Sequence, residues 1–253
     1  MNLQSPFARS LKLITLIAAL IGVAGLATNV LAQQRPNDPE AIGGQIFARG
    51  QAQIAHAWLA VPTKRYTHFV LGDDYHAAAV RVILKSGQKL ELMLTNSVFE
   101  DREVRLADLD GDGDDEMLIV ESDAQSGARL VAFAVDENGI RRIGATAAMG
   151  GGNRWLNPAA IADLDKDGSM EVALVAMPHV RKLLQIWRWR DGKFELVTTE
   201  ADVSNHELGS RHMGLSLVAP LDGWPGKELI VPDGGRTAIR IFSLKDNRLI
   251  ERK

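Results

Sequence analysis

Apolar residues fall along this chain in short clumps and alternating pairs, not in long periodic faces. Triplets occur at Phe69-Val70-Leu71, Leu118-Ile119-Val120, Ala173-Leu174-Val175 and Leu229-Ile230-Val231. Each is followed 11 to 13 residues later by an alternating pair: Val82/Leu84, Phe133/Val135, Trp187/Trp189 and Phe242/Leu244. Period-two alternation of large apolar side chains marks a strand with one buried face. A tight-turn dipeptide follows each pair: Ser86-Gly87, Asn138-Gly139, Asp191-Gly192 and Asp246-Asn247. Such dipeptides supply the positive φ values that hairpins require. The turns lie 52, 53 and 55 residues apart, so the chain repeats one unit.

Four short strands are expected per unit; in the second they are Val104–Leu109, Glu116–Val120, Leu130–Val135 and Ile140–Gly144. No comparable stretch keeps a 3.6-residue period, so almost no helix is expected beyond residue 32. One four-stranded sheet cannot cover both of its faces, whereas several packed around an axis can. The expected fold is therefore all-β, a β-propeller of about four four-stranded antiparallel blades over residues 50–253. A fifth blade part-built from residues 40–60 stays open. A β-sandwich also alternates but predicts no constant period.

The N-terminal stretch reads differently. Arg9 and Lys12 precede an uncharged run from Leu13 to Ala27, and Val30-Leu31-Ala32 places small residues at a cleavage site. Residues 1–32 are expected to be a secretory signal peptide, the run being short for a spanning helix. Residues 33–49, polar with Pro36, Pro39 and a glycine pair, are expected to form a flexible lead-in. An exported chain without cysteine suits a bacterial envelope, periplasmic or secreted, and excludes disulfides, thiolate metal sites and cysteine nucleophiles. A net charge of −3 gives no reason to expect nucleic acid.

Chemistry concentrates in two loops between the first and second strands of a unit. Asp108, Asp110, Asp112, Asp114 and Glu116 recur 55 residues later as Asp163, Asp165, Asp167, Ser169 and Glu171. Both follow D-x-D-x-D-G-x-x-E. The glycine permits a bend that folds positions 1, 3 and 5 round one point, and the carboxylate at 9 closes the far side. With the position-7 carbonyl and a water this makes six or seven hard oxygen donors, a calcium set. Carboxylates about 5 Å apart in water repel by roughly 0.8 kcal/mol per pair, which argues against a merely solvated turn. An EF-hand loop would need Glu at position 12, where Ile119 and Leu174 stand inside strands. The fourth unit keeps only Asp222 and Glu228 of the pattern, Pro220 and Trp224 replacing two ligands, and the first has Lys64-Arg65-Tyr66-Thr67 in its place. Two calcium ions are expected.

The segments Ala159–Pro178 and Leu106–Val120, and more weakly Leu217–Pro232, resemble FG-GAP (VCBS-type) repeats, as found in integrin α-subunit propellers and bacterial exported proteins. The resemblance implies a propeller with calcium in the loop between the first two strands of a blade. The Phe-Gly pair that names the repeat is absent, so no integrin ligand site carries over. Family members include adhesion modules and propellers appended to enzymes, and fold alone does not assign function.

No H-E-x-x-H, G-x-S-x-G or P-loop occurs. Among the connections between units, Arg154, Trp155, Asn157, His206, Arg211 and His212 could line one polar site, or staple neighbouring units through hydrogen bonds. The expected function is a non-catalytic, calcium-binding interaction scaffold whose partner is a protein or glycan of the envelope. The alternative is a hydrolase or lyase acting on envelope polysaccharide or lipid through the His/Arg site.

Overall fold

In the computed structural model the described residues are 36–221, 223–224 and 226–252. The signal peptide, the first residues of the lead-in and Asp222 lie outside them. Among the described residues there is no helix, and none that could cross a membrane.

The second, third and fourth repeats each fold as a four-stranded antiparallel meander in chain order. They are β5 (Arg105–Ala107), β6 (Glu116–Asp123), β7 (Gly127–Asp136) and β8 (Gly139–Ala145); β9 (Leu156–Ala162), β10 (Glu171–Ala176), β11 (Leu183–Arg190) and β12 (Lys193–Glu200); and β13 (Leu217–Ala219), β14 (Glu228–Pro232), β15 (Ile239–Lys245) and β16 (Arg248–Glu251). Turn chemistry sets the register. Asp191 and Gly192 have φ of 49° and 74°, and Asp246 and Asn247 have 49° and 59°. These are the paired positive values that match the right-handed twist of the flanking strands.

The first repeat is built otherwise. Phe69-Val70-Leu71 is not a strand but part of the loop between β1 (Ile54–Thr63) and β2 (His76–Leu84); Val70 and Leu71 are buried by packing, not by pairing. β1 pairs with β2, and β2 with β3 (Lys89–Met93). The two-residue β4 (Val98–Phe99) bridges β2 to β6, joining the first two modules into one eight-stranded sheet. The described residues thus form three antiparallel sheets in four modules.

The expectation of a flexible lead-in also changes. The compact unit begins at Pro39. Ala41 and Ala48 bridge to Ala60 and Ala57 of β1, and Ile42 is buried. The Gln45 amide imitates a strand residue, accepting from Leu59 N at 2.7 Å and donating to Leu59 O at 2.6 Å. The unpaired edge of β1 needs such partners.

Three apolar cores lie between consecutive modules. Leu59, Val80 and Val82 meet Met117, Ile119 and Phe133; Leu118, Val120 and Leu130 meet Val172, Leu174 and Trp187; Val175 and Ile186 meet Leu229, Val231 and Phe242. Odd residues of β6 serve one core and even residues the next, so each middle sheet is buried on both faces. One shared core, as in a two-layer sandwich, is not the arrangement. The second and third repeats approach closely at Gly144, where a Cβ would lie 2.6 Å from the Trp189 ring. Gly144→Val should therefore cost about 1–3 kcal/mol through overpacking, read as a lower denaturation midpoint with unchanged secondary structure by circular dichroism.

Candidate metal centres and a histidine-lined cavity

The two acidic loops share one backbone course. Positions 4 and 6 are left-handed in both: Gly111 and Gly113 at φ 80° and 94°, Lys166 and Gly168 at 63° and 89°. Lys166 holds this conformation despite its Cβ, a local strain that the rest of the loop must over-determine. In each loop the position-1 carboxylate folds back over the bend. Asp108 accepts from Gly111 N (2.7 Å) and Gly113 N (3.1 Å); Asp163 accepts from Asp167 N (3.2 Å) and Gly168 N (3.1 Å). The position-9 glutamate closes the loop from the next strand: Glu116 accepts from Leu109 N and Glu171 from Leu164 N, both at 2.8 Å.

As a result, one oxygen each of Asp108, Asp110 and Glu116 lie within 4.8 Å of one another, and so do those of Asp163, Asp165 and Glu171. Positions 1, 3 and 9 are brought together. Asp112, Asp114 and Asp167 are exposed and Ser169 half-buried; Asp112 and Asp167 cap the amides of Asp114 (2.8 Å) and Ser169 (2.7 Å). All donors are carboxylate oxygens, which fits a hard divalent cation. Asp165 Oδ1 is buried without a hydrogen-bond partner, a second indication that the third-repeat loop expects a cation.

The two centres differ in how their charge is met. Burial, with Asp110, Asp112 and Asp108 adding like charge, pushes the Glu116 carboxyl up to about 7. At the second centre a guanidinium intrudes: Arg188 Nε donates to Glu171 Oε1 and Nη2 to Asp165 Oδ2, both at 2.6 Å. In the fourth repeat Arg252 likewise donates to Glu228 Oε1 at 2.9 Å while Glu228 Oε2 accepts from Leu221 N at 2.8 Å. The position-9 glutamate therefore finds no arginine in the second repeat, shares one with two aspartates in the third, and is arginine-paired in the fourth.

The inter-repeat residues divide. Trp155, buried, donates from Nε1 to Glu100 O (2.9 Å), stacks on His179 and meets His206 edge-on at 4.8 Å. With Arg154, His68, Met177, Pro178 and Val180 these side chains line a cavity of about 290 Å³, His206 lying behind it. Asn157 is instead a staple, donating to Asn205 O (3.3 Å) and Met213 O (3.2 Å). Arg211 pairs with Asp73, and with His212 it lines a different cavity. The six residues thus do not form one site.

Sequence reasoning missed His68, Glu100, Ser122 and His179. His68 Nδ1 lies 2.7 Å from Glu100 Oε1, and the fully buried Glu100 also accepts from Ser122 Oγ. Burial pushes the Glu100 carboxyl up against the opposing pull of the His68 hydrogen bond. His206 Nε2 donates to Ser210 O (3.1 Å), which leaves its Nδ1 to accept from His179 Nε2 at 2.9 Å. Burial holds both rings near pKa 4, helped by His206 for His179 and by Arg236 for His206. Nothing in local spacing announces this cluster, because His68, Glu100, His179 and His206 come from four separate connections and Ser122 from β6.

No family model matches the chain, and no curated protein matches it. A solved structure similar to it is that of the exotype rhamnogalacturonan lyase YesX, at TM-score 0.45 and 13% identity over 83% of this chain and 48% of that one. The chain thus spans about half the length of that protein.

Three measurements check the electrostatics. Proton and metal compete for Glu116, so metal affinity at that loop should rise about tenfold per pH unit up to about pH 7 and level above it. Without metal the sign reverses. The folded Glu116 holds its proton more tightly than the unfolded one, so this group's contribution to stability falls as pH rises from about 4.5 to 7. Calorimetric titrations from pH 5 to 8 on Glu171→Gln protein would read the first, and comparing wild-type and Glu116→Gln melting over that range the second. For the imidazoles, long-range proton–nitrogen NMR should show His179 and His206 neutral at pH 5.5 and titrating near 4.

Proposed function

We propose that this chain is an exported, propeller-type repeat protein of the FG-GAP/VCBS kind, which binds calcium in two loops and serves the bacterial envelope as a non-catalytic interaction scaffold. The observation that supports it most is the convergence of carboxylates 1, 3 and 9 at the same phase of two consecutive repeats. Each loop joins two adjacent strands of one sheet, so a cation held there ties the strand ends and offsets the loop's own repulsion. A ligand bound only by the folded state raises stability by mass action. The second repeat's loop is the stronger centre, because there no guanidinium competes for the glutamate.

Calcium titration by calorimetry should give two equivalents, with Asp110→Asn and Asp165→Asn each removing one; unchanged stoichiometry would overturn the ligand assignment. Arg188→Gln should lower the melting temperature of the metal-free protein, because leaving Glu171 buried without its partner costs about 3–5 kcal/mol. It should also enlarge the rise on adding calcium, because Asp165 and Glu171 then have no guanidinium between them.

A second reading is favoured by one observation, the His68–Glu100 pair beside Arg154 at the cavity wall. With Nδ1–H donated to Glu100, His68 presents Nε2 as an oriented proton acceptor, and Arg154 supplies a cation for an anionic group. This is the arrangement a hydrolase or lyase on envelope polysaccharide or lipid would use. Turnover on a panel of such polymers, lost in His68→Ala but kept in His212→Ala, would establish it; absence of turnover leaves the scaffold reading.

A further inference from the structure

The sheet of the fourth repeat carries a packing face on which none of the other repeats' described residues packs. In β6 the residues two and four places after the glutamate, Leu118 and Val120, are fully buried against the next module, as are Ala173 and Val175 of β10. Their pairing partners on the following strands, Ala132 and Leu130, then Ile186 and Leu184, are also fully buried. The same positions in β14 and β15 are Ile230 and Pro232, paired with Ile241 and Ile239. Here Ile230, Pro232 and Ile241 are half-exposed and Ile239 is 65% exposed. Leu217, opposite Ile230, and Ile250, opposite Ser243, extend the patch at 53% and 45% exposure.

The chain's opposite end is treated otherwise. On the outer face of the first sheet Arg81 lies between Trp58 and Glu91 and pairs with Glu91 (2.6 Å) and Glu40 (2.7 Å), while Phe47 stacks on Trp58 at 5.7 Å. Terminal modules of stacked-repeat folds need such a polar or covered outer face. The first repeat has one across its centre, whereas on the fourth the Arg252–Glu228 pair covers only the end beside Ser243 and leaves the row from Ile230 to Ile239 apolar and open. A head-to-tail contact would press isoleucines onto an ion-pair network, desolvating it without replacement. The face that matches the fourth sheet is another copy of itself. Two such sheets can pack face to face about a two-fold axis, each copy's isoleucine rows meeting the other's, in the isologous geometry of cyclic dimers.

We infer that the outer face of the β13–β16 sheet is a homodimer interface, in which two copies of this chain continue across a two-fold axis the sheet-on-sheet packing that each carries internally. The contact uses neither the acidic loops nor the histidine cavity, so it stands or falls apart from calcium binding and from the cavity's chemistry.

Light scattering coupled to size exclusion, run on the purified chain at about 50 μM, should return twice the chain mass, and Ile239→Asp with Ile250→Glu should halve it with an unchanged circular dichroism spectrum. The chain has no cysteine, so Ile239→Cys is a clean reporter. A short bismaleimide should link two copies through it, whereas Met93→Cys on the first sheet should not link. A monomeric wild type, a dimer that survives Ile239→Asp with Ile250→Glu, or linking through position 93 in preference to 239 would each overturn the inference.

Discussion

An antiparallel sheet with apolar side chains on both faces must keep both from water, and the middle repeats of this protein are of that kind. That requirement organises the molecule. β6 sends Met117 and Ile119 to one core and Leu118 and Val120 to another, and β10 sends Val172 and Leu174 one way and Ala173 and Val175 the other. Strands that read as continuous apolar triplets are those buried on both faces. The alternating strands that follow them bring Phe133, Trp187 and Phe242 to the same seams. Stacking is thus forced by composition, and so are the devices at the first end, where Gln45, Phe47 and Glu40 close β1 and its outer face.

The acidic loops take their geometry from this frame. β5 and β6, like β9 and β10, must be joined by a tight connection at one end of the sheet. The position-9 glutamate is the first residue of the second strand and is anchored by a backbone amide just before the bend. Convergence of three carboxylates is then a consequence of strand pairing, and their mutual repulsion is the cost. The three repeats that have this glutamate meet that cost in different ways. Arg252 pairs with it in the fourth, Arg188 bridges glutamate and aspartates in the third, and in the second no arginine reaches it, leaving a carboxyl that holds its proton up to about pH 7. The gradient from guanidinium to bare carboxylate is a physical argument for where a divalent ion is needed most.

Much of this could be read from the chain alone, and the reasons differ by element. The strands of the second to fourth repeats were legible because alternation, turn dipeptides and period agree at every unit. The first repeat was not. Ile54–Thr63 interleaves alanines with large residues and so lacks contrast, while Phe69-Val70-Leu71 mimics a strand by supplying loop side chains to a core. Positions 1, 3 and 9 of the acidic loops were legible because their geometry is local. Arg188 was not, because it reaches the loop from β11 through strand register. The His68–Glu100 and His179–His206 pairs join residues 32 and 27 positions apart, which no local pattern encodes.

On the proposed reading each of the two bends encloses a divalent ion held by carboxylates 1, 3 and 9. Anomalous difference density from a crystal grown with calcium and measured at long wavelength addresses it directly. The account predicts one peak about 2.3–2.6 Å from oxygens of Asp108, Asp110 and Glu116, and another at the same range from Asp163, Asp165 and Glu171. Two bends without a peak, with Arg188 still seated on Glu171 and Glu116 facing water, would contradict it.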